Sequence, residues 1–208
     1  MASAESSSAR AAGKVLTIEE LKSLALTGGD VPGLRDEPSV EPMFQGGTTA
    51  PPVSNAECQP LVDSIRPEGS SAAVEQVFNW KDAIWSGGSI LASYEGDGAE
   101  QLFRRLRGAL SNCTSYSGVS YGKKYLAEVK QVKAASGLGG ETLAFRMFVE
   151  VQMEDGIENP KSYSEYVLVR TGRAVVIFHN MAGCERDATF PVQPIRTLVE
   201  RLTQAQLS

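Results

Sequence analysis

Apolar and polar residues alternate along one stretch of the chain, from residue 141 to residue 153. The apolar positions are Leu143, Phe145, Met147, Val149, Val151 and Met153. A period of two is typical of a β-strand with one apolar face. Two further β-rich runs, 163–170 and 174–179, flank Thr171-Gly172, and so short a glycine-bearing link predicts a tight hairpin. The three runs together predict an antiparallel meander.

Helical spacing of apolar residues marks three other ranges. Thr17-Ile-Glu-Glu20 is a capping box, which predicts a helix from about Thr17 to Leu26. A stripe at i, i+3 and i+4 predicts a helix over 97–112, and Pro191 and Pro194 begin a closing amphipathic helix. A shorter helix is expected after Asn55, which can cap it.

The remaining segments complete an α+β fold, a central antiparallel β-sheet of about five to seven strands flanked by helices. Further strands are expected near 73–80, at 84–94 with a bulge or bend at Gly87-Gly88, and at 125–132. A short edge strand over 34–40 is an additional candidate. Loops are expected over 41–55 and 116–122.

The polar, low-complexity start of the chain has no hydrophobic period. Residues 1–15 are therefore predicted to form a flexible N-terminal tether, and residues 16–208 a single α+β domain. A chain of 208 residues, 42% hydrophobic, can form a core of that size. We expect deletion of the tether to leave folding intact.

The net charge of −5 gives no reason to expect nucleic acid or an anionic membrane surface as a partner. No apolar run of 18 or more residues is present, and no apolar signal-peptide core is found at the N-terminus. Two interpretations remain open here. Either the protein is cytosolic, or a targeting segment lies upstream of residue 1.

Candidate catalytic and cofactor motifs are weak. Gly137-Leu-Gly-Gly140 lacks the Gly-Lys-Ser/Thr of a phosphate loop and precedes a strand, so a hairpin turn is favoured. The chain has one histidine, His179, placed among apolar residues, which favours a structural role over catalysis or metal binding. We therefore expect no enzymatic activity, no metal and no cofactor.

One face of the meander is predicted to line a ligand cleft. With Thr171-Gly172 as the turn, Tyr166 and Arg170 share a face. Arg146, Phe148 and Glu150 join them if the apolar side of the 141–153 strand faces the other way. This mixture of aromatic and charged residues would suit a ligand with apolar and anionic parts, such as a lipid or cell-wall fragment. The alternative is that a helix and solvent cover the face.

The three cysteines, Cys58, Cys113 and Cys184, are far apart and show no C-x-x-C spacing. In a cytosolic chain they would be buried thiols. In an oxidising compartment a disulfide is expected instead, and the residues alone leave the choice open.

Several segments resemble one family. Residues 17–21, followed by Thr27-Gly-Gly-Asp-Val-Pro-Gly33, resemble the opening helix and turn of actinobacterial, Streptomyces-type cell-envelope lipoproteins. Ala56-Glu-Cys-Gln-Pro-Leu61 resembles their next motif, and the helix ending in Cys113, the β-meander and the last helix follow in the same order. These proteins are similar to the extracellular sensor domain of mycobacterial receptor kinases, the PknH type. The resemblance covers about residues 15–205.

The resemblance implies an extracytoplasmic protein, lipid-anchored to the cell membrane, with its signal peptide and lipidated cysteine upstream. It implies a sheet groove for an unidentified small molecule, lipid or cell-wall fragment. It also implies a disulfide between Cys58 and Cys113. Cys184 is a departure from the family pattern, and because it follows the Ala182-Gly183 turn we expect it to remain a free thiol. The function expected is a non-enzymatic ligand-binding or sensor-like domain. The alternatives are a hydrolase using the same groove and a scaffolding lipoprotein that binds another protein through the 41–55 loop.

Overall fold

The computed structural model describes residues 13–43, 50–64, 66–154, 157–183 and 189–207. Within these ranges the strands are β1 (Val40–Pro42), β2 (Ala72–Asn79), β3 (Ser86–Ser93), β4 (Ser115–Ser120), β5 (Lys123–Gln131), β6 (Glu141–Val151), β7 (Lys161–Thr171) and β8 (Ala174–Ala182). The helices are α1 (Ile18–Leu24), α2 (Gln59–Asp63), α3 (Gly98–Asn112) and α4 (Val192–Leu207), and a 3-10 turn, Ala56–Cys58, precedes α2.

All eight strands belong to one antiparallel sheet in the order β1-β2-β3-β8-β7-β6-β5-β4. The predicted α+β architecture of an antiparallel sheet with flanking helices is confirmed, but the sheet has eight strands rather than about five to seven. The strand that the sequence analysis assigned mostly to a loop is β4. Its Ser-rich sequence carries little apolar pattern because it is an edge strand, paired with β5 on one side.

Helices cover both faces of the sheet. On the face that we call the α3 face, strand residues such as Phe145, Leu168 and Ile177 pack against Phe103 and Leu106 of α3. On the opposite face, the α4 face, α1 and α4 cover a second core. Its members include Phe78, Val167, Val176, Phe178, Leu198 and Leu202. Each fully buried side chain of this kind stabilises the fold by roughly 1.5–3 kcal/mol.

The capping box at the start of α1 is confirmed. The Glu20 N–H donates to Thr17 Oγ1 over 3.2 Å, and the Thr17 N–H donates to Glu20 Oε2 over 2.9 Å. The helix ends at Leu24, two residues earlier than predicted. The turn after it is tied to α4, because Arg201 donates to both carboxylate oxygens of Asp30 over 3.0 and 2.8 Å.

Two predictions about the sheet are wrong in detail. The Gly87-Gly88 pair is not a bulge, because the β2–β3 register runs through it without interruption. A Cβ on Gly88 would instead lie 2.6 Å from the carbonyl oxygen of Gln76, so the glycine permits close approach. In the β7–β8 hairpin Thr171 pairs with Ala174, which makes Gly172-Arg173 the turn.

Part of the predicted tether, residues 1–12, lies outside the described residues. The described end of that segment runs beside α4, where the Lys14 N–H donates to the Gln206 carbonyl oxygen over 3.3 Å. Leu16 is buried, and its N–H donates to Ser93 Oγ over 2.8 Å. The chain therefore enters the domain at the C-terminal end of β3.

Candidate functional site

The five predicted ligand residues do not share a face. Phe145 lies opposite Tyr166, and Arg146 lies opposite Glu165. Residues directly opposite in an antiparallel pair point to the same side. Tyr166 and Arg170 therefore belong to the α3 face, whereas Arg146, Phe148 and Glu150 belong to the α4 face. The prediction that these five residues share one mixed face is therefore wrong, because the apolar side of β6 lies on the same face of the sheet as Tyr166.

On the α3 face, the two predicted residues make contacts that hold the sheet together. The Tyr166 ring stacks on Phe145, with centroids 4.9 Å apart, and lies 6.2 Å from the His179 ring. Burial raises the pKa of the Tyr166 hydroxyl and lowers the pKa of His179. Arg170 forms an ion pair with Glu141 over 3.1 Å, and Glu141 also binds Arg107 of α3.

On the α4 face, each of the three predicted residues has a partner. Arg146 Nε donates to Glu165 Oε2 over 2.9 Å. The Phe148 ring lies 4.9 Å from the ring of Tyr163, and Glu150 accepts from Asn159 Nδ2 over 2.7 Å. These contacts tie β6 to β7 and to the loop between them.

Arg146 is also one of the residues that line a cavity of about 340 Å³ between the sheet and the start of α4. Its Nη2 donates to Thr189 Oγ1 over 3.0 Å. Thr189 lines a second, larger cavity as well. Arg146 is thus the predicted ligand residue that adjoins the groove described next.

The larger cavity is a groove of about 910 Å³ at one end of the sheet, which we call the tryptophan groove. Its walls come from segments that are distant in sequence. They are Pro32, Gly33 and Arg35, the β2–β3 turn from Trp80 to Trp85, residues 180–183 at the end of β8, and Thr189 and Pro191. A volume of this size is typical of small-molecule sites.

Both tryptophans of the chain line this groove. The Trp80 ring is held in place because its Nε1 donates to Asn180 Oδ1 over 2.9 Å and because the Phe190 ring lies 6.0 Å away. Trp85 lies against the end of β8, where a Cβ on Gly183 would be 3.2 Å from its indole nitrogen. Ile84, between them in the turn, is 94% exposed. The groove therefore presents a large apolar surface to solvent.

One wall of the groove carries positive charge. The 33–35 segment pairs with the end of β2, since the Arg35 N–H donates to the Asn79 carbonyl over 2.7 Å and the Lys81 N–H to the Gly33 carbonyl over 3.0 Å. The Arg35 guanidinium donates to the Trp80 carbonyl over 3.3 Å. This pairing places Arg35 and Lys81 on the same side, and Asp82 is the carboxylate among the described residues of the lining.

The tryptophan groove was not predicted from the sequence. The available signal was the Trp80-Lys-Asp-Ala-Ile-Trp85 segment, in which both tryptophans and an isoleucine occur in a turn between two strands. Large apolar residues in an exposed turn frequently mark a binding surface.

Cys58 and Cys113 form a disulfide, the pairing that the resemblance implied. It joins the 3-10 turn before α2 to the residue that follows α3. Cys184 lies outside the described residues, as does part of the predicted 41–55 interaction loop. The part of the chain that the structure describes holds no cluster of three or more metal-binding side chains. No helix in it is long and apolar enough to cross a membrane.

No protein-family model matches the chain, and no curated protein does. Among solved structures, the chain is similar to the extracellular domain of PknH from Mycobacterium tuberculosis. The match has a TM-score of 0.58 and 12% sequence identity, and it covers 92% of this chain and 99% of the PknH domain. At that identity the likeness concerns the fold. The fold of this chain therefore resembles that of the PknH extracellular domain.

Proposed function

We propose that this chain is a non-enzymatic, extracytoplasmic binding domain of sensor-like type that holds a ligand in the tryptophan groove. The observation that carries the proposal is that both tryptophans line one groove of about 910 Å³ beside the exposed Ile84. Apolar surface exposed to water is unfavourable. A ligand that covers this surface would therefore bind with a favourable free energy.

Two observations support the extracytoplasmic location. The fold is that of a protein domain described as extracellular, and the chain contains a disulfide between buried cysteines. Disulfides persist in oxidising compartments and are rare in the cytosol. The proposal includes a lipid anchor upstream of residue 1, at the cell membrane of an actinobacterium, as in the lipoproteins that the sequence resembles.

The hydrolase alternative receives less support from the groove. Among the described residues that line it, the one carboxylate is Asp82, and neither a histidine nor a cysteine is present. His179 belongs to the opposite, α3 face, where it packs beside Tyr166. The described lining therefore lacks the histidine and the cysteine of a Ser–His or Cys–His pair.

The first experiment tests for a ligand. Native mass spectrometry of the protein purified from its own host should show a complex heavier than the 208-residue chain by the mass of one small molecule. Trp85→Ala should lose that mass, because it removes one wall of the groove. Leu126→Ala is the matched control, since Leu126 is an exposed apolar residue far from the groove on β5.

Retention of the added mass by Trp85→Ala would place the ligand elsewhere. If the wild-type protein carries no added mass, and its tryptophan emission is unchanged by a library of envelope lipids and glycans, the binding function is wrong.

A further inference from the structure

We infer that the tryptophan groove selects an amphipathic anion, a molecule with one apolar chain or ring and one phosphate, carboxylate or sulfate head. This inference rests on the proposed binding function and specifies the chemical class of the ligand. The apolar part would lie along Trp80 and Trp85, and the anionic head would meet Arg35 and Lys81.

Among the described residues, the lining of the groove has a charge opposite to that of the whole protein. These residues include two cations, Arg35 and Lys81, against one carboxylate, Asp82, whereas the chain has a net charge of −5. A positive site in an acidic protein attracts anions locally although the surrounding surface repels them. Charge complementarity of this kind favours an anionic ligand over a neutral or cationic one.

Among the described residues, main-chain hydrogen bonds rather than acidic side chains position the two cations. The main-chain bonds of Arg35 to Asn79 and of Lys81 to Gly33 fix both residues on one wall. The guanidinium of Arg35 uses a carbonyl, that of Trp80, as an acceptor, which leaves further N–H groups of its planar fork for a ligand.

Apolar residues line the same groove as these cations. Trp85 lies near Gly183 at the end of β8, and Met181 and Ala182 are also part of the lining. The combination of cations and apolar side chains in one groove matches a molecule with a head and a tail. A uniformly polar sugar would leave the apolar side chains uncovered, and a pure hydrocarbon would leave the cations without a partner.

The groove also lies far from the point where the chain enters the domain. Leu16 bonds to Ser93 at the end of β3, and Trp85 immediately precedes the start of that strand. Eight residues of extended chain separate the two points by roughly 25 Å. The ligand source that fits a groove of about 910 Å³ is a free amphiphile, because a cavity of this size encloses one small molecule rather than a membrane surface.

The test compares probes that share one tail. Decyl phosphate, decanol and decyltrimethylammonium, all below their micelle concentrations, are titrated against the full chain. Intrinsic tryptophan fluorescence is the readout, because both tryptophans are in the groove. We expect decyl phosphate to bind about tenfold more tightly than decanol, and the cation to bind most weakly; tenfold corresponds to about 1.4 kcal/mol.

The charge variant Arg35→Gln/Lys81→Gln should weaken decyl phosphate binding about tenfold and change decanol binding less than twofold. The control Lys123→Gln/Lys124→Gln removes the same charge from exposed positions on β5 and should change neither. If the first double variant is poorly folded, Lys81→Gln alone should give a partial loss of the same kind.

Three outcomes decide the matter. Equal affinities for decyl phosphate and decanol, unchanged by the charge variant, would overturn the anionic class and leave the binding function intact. Absence of binding by all three probes, together with no co-purifying mass, would overturn both. Sedimentation with phosphatidylglycerol vesicles without binding of monomeric decyl phosphate would also overturn the inference, because the protein would then recognise a membrane surface.

Discussion

Removing the Cys58–Cys113 disulfide should destabilise the domain strongly. The bond joins two fully buried residues, 0% and 2% exposed, whose positions are 55 apart in sequence. It links the 3-10 turn and α2 to the end of α3, and these elements cover one end of the α3 face. Without it, the loop between the two cysteines is unconstrained in the unfolded chain.

The magnitude follows from the length of that loop. In the chain-entropy account, closing a loop of this size lowers the entropy of the unfolded state enough to stabilise the fold by about 4 kcal/mol. For a domain of about 200 residues, each kcal/mol corresponds to about 2–4 °C in Tm. The expected fall in Tm is therefore about 8–16 °C.

The assay is thermal unfolding followed by circular dichroism, on the wild type and on Cys58→Ala/Cys113→Ala. Cys184→Ala is the matched control and should keep the wild-type Tm within about 2 °C, because peptide mapping under non-reducing conditions should find Cys184 unbridged. A double variant that melts within 2 °C of the wild type would refute the entropy argument. Mapping that found Cys184 bridged to either partner would refute the pairing.

Three other predictions concern single contacts. Gly88→Ala should lower the free energy of unfolding by about 3 kcal/mol in urea, because the added methyl group would lie 2.6 Å from a main-chain oxygen of β2. The control is Gly108→Ala, which has open space around it and should be neutral or stabilising. Equal effects of the two substitutions would contradict this prediction. Arg201→Gln should cost about 2 kcal/mol by breaking the paired bonds to Asp30, and an unchanged urea midpoint would exclude that role. Because burial lowers the pKa of His179, the folded state binds fewer protons than the unfolded state. Stability should therefore fall as pH drops below about 6.5, and the same fall in His179→Gln would show that another group is responsible.

Local pattern was sufficient for the elements that depend on neighbouring residues. The capping box at Thr17, the apolar stripe of α3 and the alternation in β6 each predicted an element that the structure contains. In these cases the hydrogen bonds or the buried face arise within about a dozen residues, so the sequence carries the signal directly. The strand β4 was not predicted because it lies at the edge of the sheet. It pairs with β5 on one side, and its residues are mostly polar.

The relation between β6 and β7 shows what local pattern leaves undetermined. The alternation of apolar and polar residues was clear within β6 and within β7. However, a shift of one residue in the pairing of the two strands moves the side chains of one strand to the opposite face of the sheet. The structure places Phe145 opposite Tyr166, which divides Arg146 from Arg170. Only the packing of α3 against one side and α4 against the other decides that register.

The tryptophan groove depends still more on tertiary structure. Arg35, Trp80, Trp85 and Asn180 come from three parts of the chain that the fold brings to one end of the sheet. The sequence by itself determined most of the strands and helices, because their periodicity reflects burial on one side. It did not determine which loops would meet, because that depends on strand order, on register and on the side of the sheet that each helix covers.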